Sequence, residues 1–414
     1  MDIITEANQL MEAHLANEAI NLIEEALNTA SENEKILYAA FFMEWGFLDE
    51  ARSILEPLHA KMCHSEVILM LAEIYTEQQE DTKAIELLLL IDPDDEAYLP
   101  ALLQLADLYQ QEGLFEVSEQ KLLEAKRIAP QEEVIDFALG ELYYSIGDYN
   151  RAILYYEKVS TDILNVSITE RLAHSLTAVG KYELAFNYFK TIKEPDHDTL
   201  FSYGLTAFQI ERDDVAIKVL KQLLEKDPYY HSAYLLLAEA YERQGLIKEA
   251  YNILKQGLEY DEFNKELYYH LGILLQKLNR LDESETMFQE AITLDPDYKE
   301  AILSLIALWK DNNKYELIID LIHDIKNDGS IDPLYEWALG RAYSELDERN
   351  DALNAYKQAY TNLQDDPEFL KEYGMLLYEA GERKEAVNIF RTYLMMIPDD
   401  YDIIAFTERI EEIN

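Results

Sequence analysis

An all-α fold built from one repeated helix–turn–helix unit is what this sequence predicts, and three observations carry the prediction. Glycine (13) and proline (10) are scarce in 414 residues while Leu, Ala, Glu, Lys and Tyr abound, a mixture that favours helix almost end to end. A bulky residue followed by a small one recurs about every 34 residues, with a turn residue seven positions on: Leu139-Gly140 with Gly147, Leu271-Gly272 with Asn279, Leu339-Gly340 with Asp347, Tyr373-Gly374 with Gly381. Twelve residues after that small position comes another, as at Ala84, Ser118, Ala152, Ala185, Ala216, Ala250, Ser284, Ala352 and Ala386.

On this register the units begin near residues 1, 32, 65, 99, 133, 166, 197, 231, 265, 299, 333 and 367, and run 31 to 34 residues each. The first helix of a unit needs a small side chain where the second crosses it. The mid-unit Gly or Asn permits the positive φ of a tight turn. The second small residue marks where the second helix packs back on the first. Closing segments such as "IDPDDE", "APQEE", "DPYY", "DPDY" and "IPDD" end the second helix, which proline cannot continue.

Departures from the pattern carry their own expectations. The first unit predicts a shortened first helix, and the sixth (166–196) a compressed junction at "TIKEPDHDT". The tenth has Ile306 and Ile318 at its two small positions, so its helices should stand apart, with Trp309 and Tyr315 near the gap. Kinks are expected near 193–198 and 326–333, in a solenoid otherwise continuous over 1–400. Residues 401–414, with Ile404, Ile410 and Ile413 among Glu408, Glu411 and Glu412, predict a capping helix with one apolar face.

Composition narrows function. A hydrophobic fraction of 49% is too high for a disordered chain. The net charge of −47 repels phosphate backbones and anionic bilayers, so neither nucleic acid nor membrane is an expected partner. Residues 1–132 hold 7 basic and 28 acidic side chains, so a basic or amphipathic protein segment would be drawn there. The N-terminus lacks the basic and apolar regions of a signal peptide, and runs such as "AIELLLLI" are too short to span a bilayer; a cytoplasmic protein is expected. Cys63 is the only cysteine, and the eight histidines are scattered singly. No phosphate loop, dinucleotide loop, zinc motif or calcium loop is present, so no catalytic, cofactor-binding or metal residue is nominated and no enzymatic activity is expected.

The layout of Leu-Gly, Tyr, Ala, aromatic, Ala and Pro resembles the tetratricopeptide repeat (TPR) family. Residues 265–298, "KELYYHLGILLQKLNRLDESETMFQEAITLDPDY", match over the whole unit, with Ser284 for the second Ala. The resemblance covers nearly the entire chain, which also looks like the long TPR proteins of Bacillus-type bacteria. It implies a right-handed α-solenoid whose first helices line a concave groove through unit positions 2, 5, 9 and 12–13. Carried onto this sequence, those positions nominate Glu66, Glu73, Glu77, Asp107, Phe137, Glu141 and Tyr144, then Phe201, Phe208, Glu239 and Tyr269, and finally Trp337 and Tyr378. Carboxylates interleaved with aromatics suit a partner segment with Lys or Arg among apolar residues. The Lys and Asn set with which some family members clamp an acidic C-terminus is missing from every consecutive pair of units. A scaffold or adaptor follows, with self-assembly into a homo-oligomer as the alternative. In "GELYYSIGDYNRAILYYEKV" (140–159), Gly140 is then the crossing site and Gly147 the turn. Tyr143, Tyr149 and Tyr156 fall at buried positions, Tyr155 away from the stripe, and Tyr144 towards the groove.

Overall fold

A computed structural model describes residues 3–61, 64–160, 162–163, 166–326 and 332–412. Cys63, Ile413 and most of the junction at 326–333 lie outside them. The chain forms two compact halves, Met1–Ile210 and Glu211–Asn414.

The first half opens with α1 (Ile3–Glu12), α2 (Ala16–Leu27), α3 (Glu32–Glu44) and α4 (Leu48–Lys61). It continues through α5 (Ser65–Glu77), α6 (Asp81–Leu88), α7 (Tyr98–Gln111) and α8 (Phe115–Ile128). Then come α9 (Glu133–Ser145), α10 (Tyr149–Tyr156), α11 (Ile168–Ala178), α12 (Tyr182–Phe189) and α13 (His197–Gln209). The second half holds α14 (Asp213–Lys226), α15 (His231–Arg243), α16 (Ile247–Tyr260), α17 (Lys265–Lys277), α18 (Leu281–Leu294) and α19 (Lys299–Asp311). It ends with α20 (Tyr315–Lys326), α21 (Pro333–Glu345), α22 (Arg349–Leu363), α23 (Pro367–Glu379), α24 (Arg383–Met396) and α25 (Tyr401–Glu412). Among the described residues there is no strand, only a single bridge between Ile163 and Val166. The architecture is the all-helical solenoid that the repeats predict, with α1 short as expected.

The crossings explain the small residues. A Cβ on Gly140 would lie 2.5 Å from the ring of Tyr156, on Gly272 2.6 Å from Phe288, on Gly340 2.6 Å from Tyr356, and on Gly374 2.5 Å from Phe390. Each ring is buried and fills the notch its glycine leaves in the first helix. Ser284, where most other units have Ala, donates its hydroxyl to the carbonyl of Gly272 at 2.8 Å, so its polar atom is satisfied inside the crossing. In the tenth unit Ile306 and Ile318 are both buried, and α19 and α20 approach each other less closely than the other hairpins of that half. The expected separation is there.

One residue of left-handed φ sits at each turn, from His14 to Gly381, at spacings of 31 (Gly180 to Glu211) to 34 residues (Gly113 to Gly147). Where it is Asn279 or Asp347, a short polar side chain tolerates the conformation; Gln79, at φ 61°, has no such relief. Gln79→Gly is therefore expected to stabilise the chain by about 0.5–1 kcal/mol. A rise in the urea midpoint checks this; a fall would place the strain elsewhere.

The closing aspartates stop the helices through their side chains, with a proline behind Asp227 and Asp295 but Glu262 behind Asp261. Asp227, Asp261 and Asp295 follow α14, α16 and α18, and each carboxylate accepts the backbone N–H two residues on, at 3.0, 3.2 and 3.0 Å. Asp332-Pro333 and Asp366-Pro367 work the other way: each Asp caps the following helix and each Pro occupies its first turn. At 193–198, Asp196 caps α13 by accepting from the Thr199 N–H at 2.7 Å. In α25 the buried face is Ile403, Thr407 and Ile410, with Phe406 against Tyr378 and Phe390 at 4.9 and 5.7 Å. Ile404, expected on that face, is only partly buried, and Ile403 stands there in its place.

Candidate peptide-binding pocket

Neighbouring units are locked by a pair of charges. Arg171 of α11 donates from Nε and Nη2 to the two carboxylate oxygens of Glu141 on α9, at 2.8 and 3.0 Å. The Tyr156 hydroxyl of α10 donates to the same carboxylate. The guanidinium also lies 4.7 Å over the ring of Tyr144, which meets Tyr149 and Tyr156 edge-on. Burial, then the bond to Glu141, pushes the Tyr156 hydroxyl far above the usual phenol range; burial pushes Tyr144 up as well. Glu141 and Tyr144 were expected to face a partner, yet both are already engaged within the chain.

Beside this lock, α7 and α9 diverge around a cavity of about 420 Å³. Leu103, Ala106, Asp107 and Gln110 line it from α7, Val134, Phe137, Ala138 and Glu141 from α9, with Leu122 of α8 and Val166 completing the wall. These α7 and α9 residues sit three or four apart on one face of each helix, so helical period alone brings them together. Asp107 is exposed at the mouth, its Oδ2 accepting from Gln111 Nε2 at 2.8 Å, and among the described residues no cation pairs with it. The result is an apolar cleft with one unneutralised carboxylate at its rim. Phe137, only 6% exposed, is wall and not projecting anchor.

The other nominated residues divide by type. Glu66, Glu73 and Glu77 are exposed along α5, and Glu239 is exposed on α15. The aromatics are held. Phe201 and Phe208 are half-buried on α13, and Tyr269 packs against His270, Phe288 and Tyr298. Tyr378 is covered by Phe406, and Trp337 is 9% exposed with Nε1 donating to Glu372 at 2.8 Å. Glu66, Glu73, Glu77, Asp107 and Glu239 are thus exposed, while the nominated rings are partly or wholly buried. Physically, such rings bury against aromatics of their own unit, as Tyr269 does on Phe288, or of the next, as Trp337 does on Phe369. Leu103, Ala106, Gln110, Val134 and Ala138 escaped the sequence reading, although positions 5, 8 and 12 of one unit and 2 and 6 of the next would have found them.

Among the described residues no group of three or more His, Cys, Asp or Glu side chains could hold a metal ion, and no helix is long and apolar enough to cross a membrane.

Helix hairpins in 34-residue register, small residues at the crossings and pockets between successive first helices define a tetratricopeptide-repeat protein. Sequence profiles agree: TPR units match residues 214–271 and 243–309, the YpiA-like tetratricopeptide repeats match 110–162, and the YpiA-like C-terminal repeats match 333–400. The TPR repeat-containing protein YpiA of Bacillus subtilis is 38% identical over 99% of this chain and 98% of its own length. The chain belongs to this YpiA-like TPR family. The anaphase-promoting complex subunit cut9 of Schizosaccharomyces pombe is 21% identical over 51% of this chain and 32% of its own length. Among solved structures, the TPR protein YrrB is 16% identical, spanning 44% of this chain and 96% of that one at a TM-score of 0.39. The Cut9–Hcn1 assembly is 12% identical, spanning 98% and 95% at 0.37.

Proposed function

We propose that this chain is a non-enzymatic interaction scaffold whose first helices α5, α7 and α9 bind a protein segment carrying Lys or Arg beside a large apolar residue. TPR proteins in general mediate protein–protein interaction, and that coarser role comes with the family. The observation that supports the finer reading is the cleft between α7 and α9, with an apolar wall and Asp107 unpaired at its mouth. An apolar side chain would enter the cleft, and a neighbouring cation would meet Asp107, with Glu73 and Glu77 on α5 adding to the acidic surface. A pre-ordered stack of helices loses little entropy on binding, so the partner bears most of the ordering cost. Division into twelve units closed by α25 as a cap belongs to the same proposal.

Glu141 is a poor position for testing this, because reversing it would break the lock with Arg171. Asp107→Lys and Glu73→Lys are the cleaner variants, both at exposed positions. A fluorescein-labelled amphipathic peptide of alternating Leu and Lys should bind at low salt and weaken steeply as salt rises. The double variant should bind it at least about tenfold more weakly, the loss of one or two charge-assisted contacts. Unchanged affinity would remove the cleft from the function.

A further inference from the structure

The second half contains a counterpart of that cleft, displaced by two hundred residues and inverted in charge. Leu303, Ala307 and Lys310 of α19 and Leu334, Trp337 and Arg341 of α21 stand where Leu103, Asp107, Gln110, Val134, Phe137 and Glu141 stand in the first half. Its volume is about 200 Å³. A cavity of roughly 150 Å³ lined by such apolar residues is enough to hold benzene. Ile306 and Ile318 take the places of small residues in this unit, and both line the gap.

Its charge differs from the first cleft at the two positions that matter. Asp107 has become Ala307, and Gln110 has become Lys310. Arg341 is spoken for: it donates to both oxygens of Glu372, at 2.8 and 2.7 Å, and to Glu368 at 2.6 Å. Lys310 is exposed, and among the described residues no carboxylate pairs with it. A mixed groove adjoins the mouth, lined by Glu345 and Glu379 as well as Lys310, with Lys371 bound to Asp400 at 2.8 Å. At about 8 Å of screening length in physiological salt, acids of this chain outside the groove act weakly there, and Lys310 is a cation of its lining that no carboxylate pairs with among the described residues.

We propose that the cleft of α19, α20 and α21 is a second binding site that takes a large apolar side chain followed directly by a carboxylate, the opposite charge preference to the first cleft. Leu303, Ile306, Ile318 and Trp337 receive the apolar group, and Lys310 meets the acid. This site is independent of the proposed function of α7 and α9, and its test keeps the two apart.

Three fluorescein-labelled Gly/Ser decapeptides serve as probes, carrying a central Phe-Glu, Phe-Lys or Ala-Glu pair, read by polarisation with the full chain. Phe-Glu should bind at least about tenfold more tightly than Phe-Lys and Ala-Glu, the worth of one charge-assisted contact or one buried ring. Ala307→Phe, at an exposed position on the rim, fills the mouth without disturbing the core, and should lower Phe-Glu affinity about tenfold, as should Lys310→Glu. Asp107→Lys should leave that affinity unchanged. Phe-Glu binding no tighter than Phe-Lys, or equal in the wild type and Ala307→Phe, overturns the proposal, as does its loss in Asp107→Lys. The Leu/Lys peptide continues to report on the first cleft in each variant, so either site can fail while the other stands.

Discussion

Gly272→Ala should destabilise the half containing it by about 2 kcal/mol, although alanine is the better helix former. The helix gains about 1 kcal/mol from the exchange. Against that, the new Cβ would lie 2.6 Å and 2.8 Å from two carbons of the Phe288 ring. Phe288 is wholly buried, so the ring cannot swing aside, and overpacking of this sort costs about 3 kcal/mol. The clash wins. Relief should come from the partner: in the chain itself Ala106 is followed sixteen residues later by Leu122, and Ala238 by Leu254, whereas Gly140, Gly272, Gly340 and Gly374 each face Tyr or Phe. Ala173, with Phe189 at that spacing, and Gly204, with Leu220, depart from the rule. Phe288→Leu alone should cost about 1–2 kcal/mol for the space it leaves. The double variant should return to within about 1 kcal/mol of the wild type, a non-additivity that urea unfolding of all four chains measures. Additive losses would mean that the glycine serves something other than the ring. In a solenoid the damage should also stay local, with amide exchange accelerated in α17, α18 and their neighbours first.

Most of the fold was legible because the repeat constrains each position many times over. The crossing glycines, the turn residues and the widened tenth unit all follow from side-chain size or backbone conformation, which are properties of single residues. The site was less legible, because it depends on pairs. Position 5 on a first helix tells where Phe137 or Trp337 points, but not that the next unit's side chains close over it. Glu141 reads as a free acid until Arg171, thirty residues on, is set beside it by the stacking of two units. Tyr378 reads as exposed until α25 supplies Phe406. Ile404 was misplaced by one residue because a terminal helix takes its buried face from its neighbour's shape and not from its own pattern. The two-hundred-residue correspondence between Asp107 and Ala307, and between Gln110 and Lys310, was in the sequence throughout. Only the cavities gave a reason to align those units.

Exchanging the lock itself, Glu141→Arg with Arg171→Glu, should leave the first half within about 1 kcal/mol of the wild type, while either change alone costs about 2–3 kcal/mol. The single variants place two like charges side by side at a half-buried site, and Glu141→Arg also leaves the Tyr156 hydroxyl without its acceptor. Partial exposure of the pair, 32% for Arg171 and 25% for Glu141, holds these costs below those of a fully buried bridge. The second half supplies the reason for recovery, since it runs the same lock backwards. Arg341 occupies the place of Glu141 and Glu372 that of Arg171, with the Tyr356 hydroxyl donating to Glu372 at 2.9 Å. Burial alone would raise the Glu372 carboxyl, but bonds from Arg341, Trp337 and Tyr356 hold it below its usual value. The Arg341 guanidinium lies 4.0 Å over Trp337, and Phe137 stands ready at the matching position in the first half. A coupling energy of about 3 kcal/mol or more in the urea-unfolding cycle is the expected result; a double variant as unstable as the two single losses combined would refute the equivalence of the locks. The same swap bears on binding. Because Glu141 is neutralised in the wild type, affinity for the Leu/Lys peptide should follow Asp107 and survive the exchange.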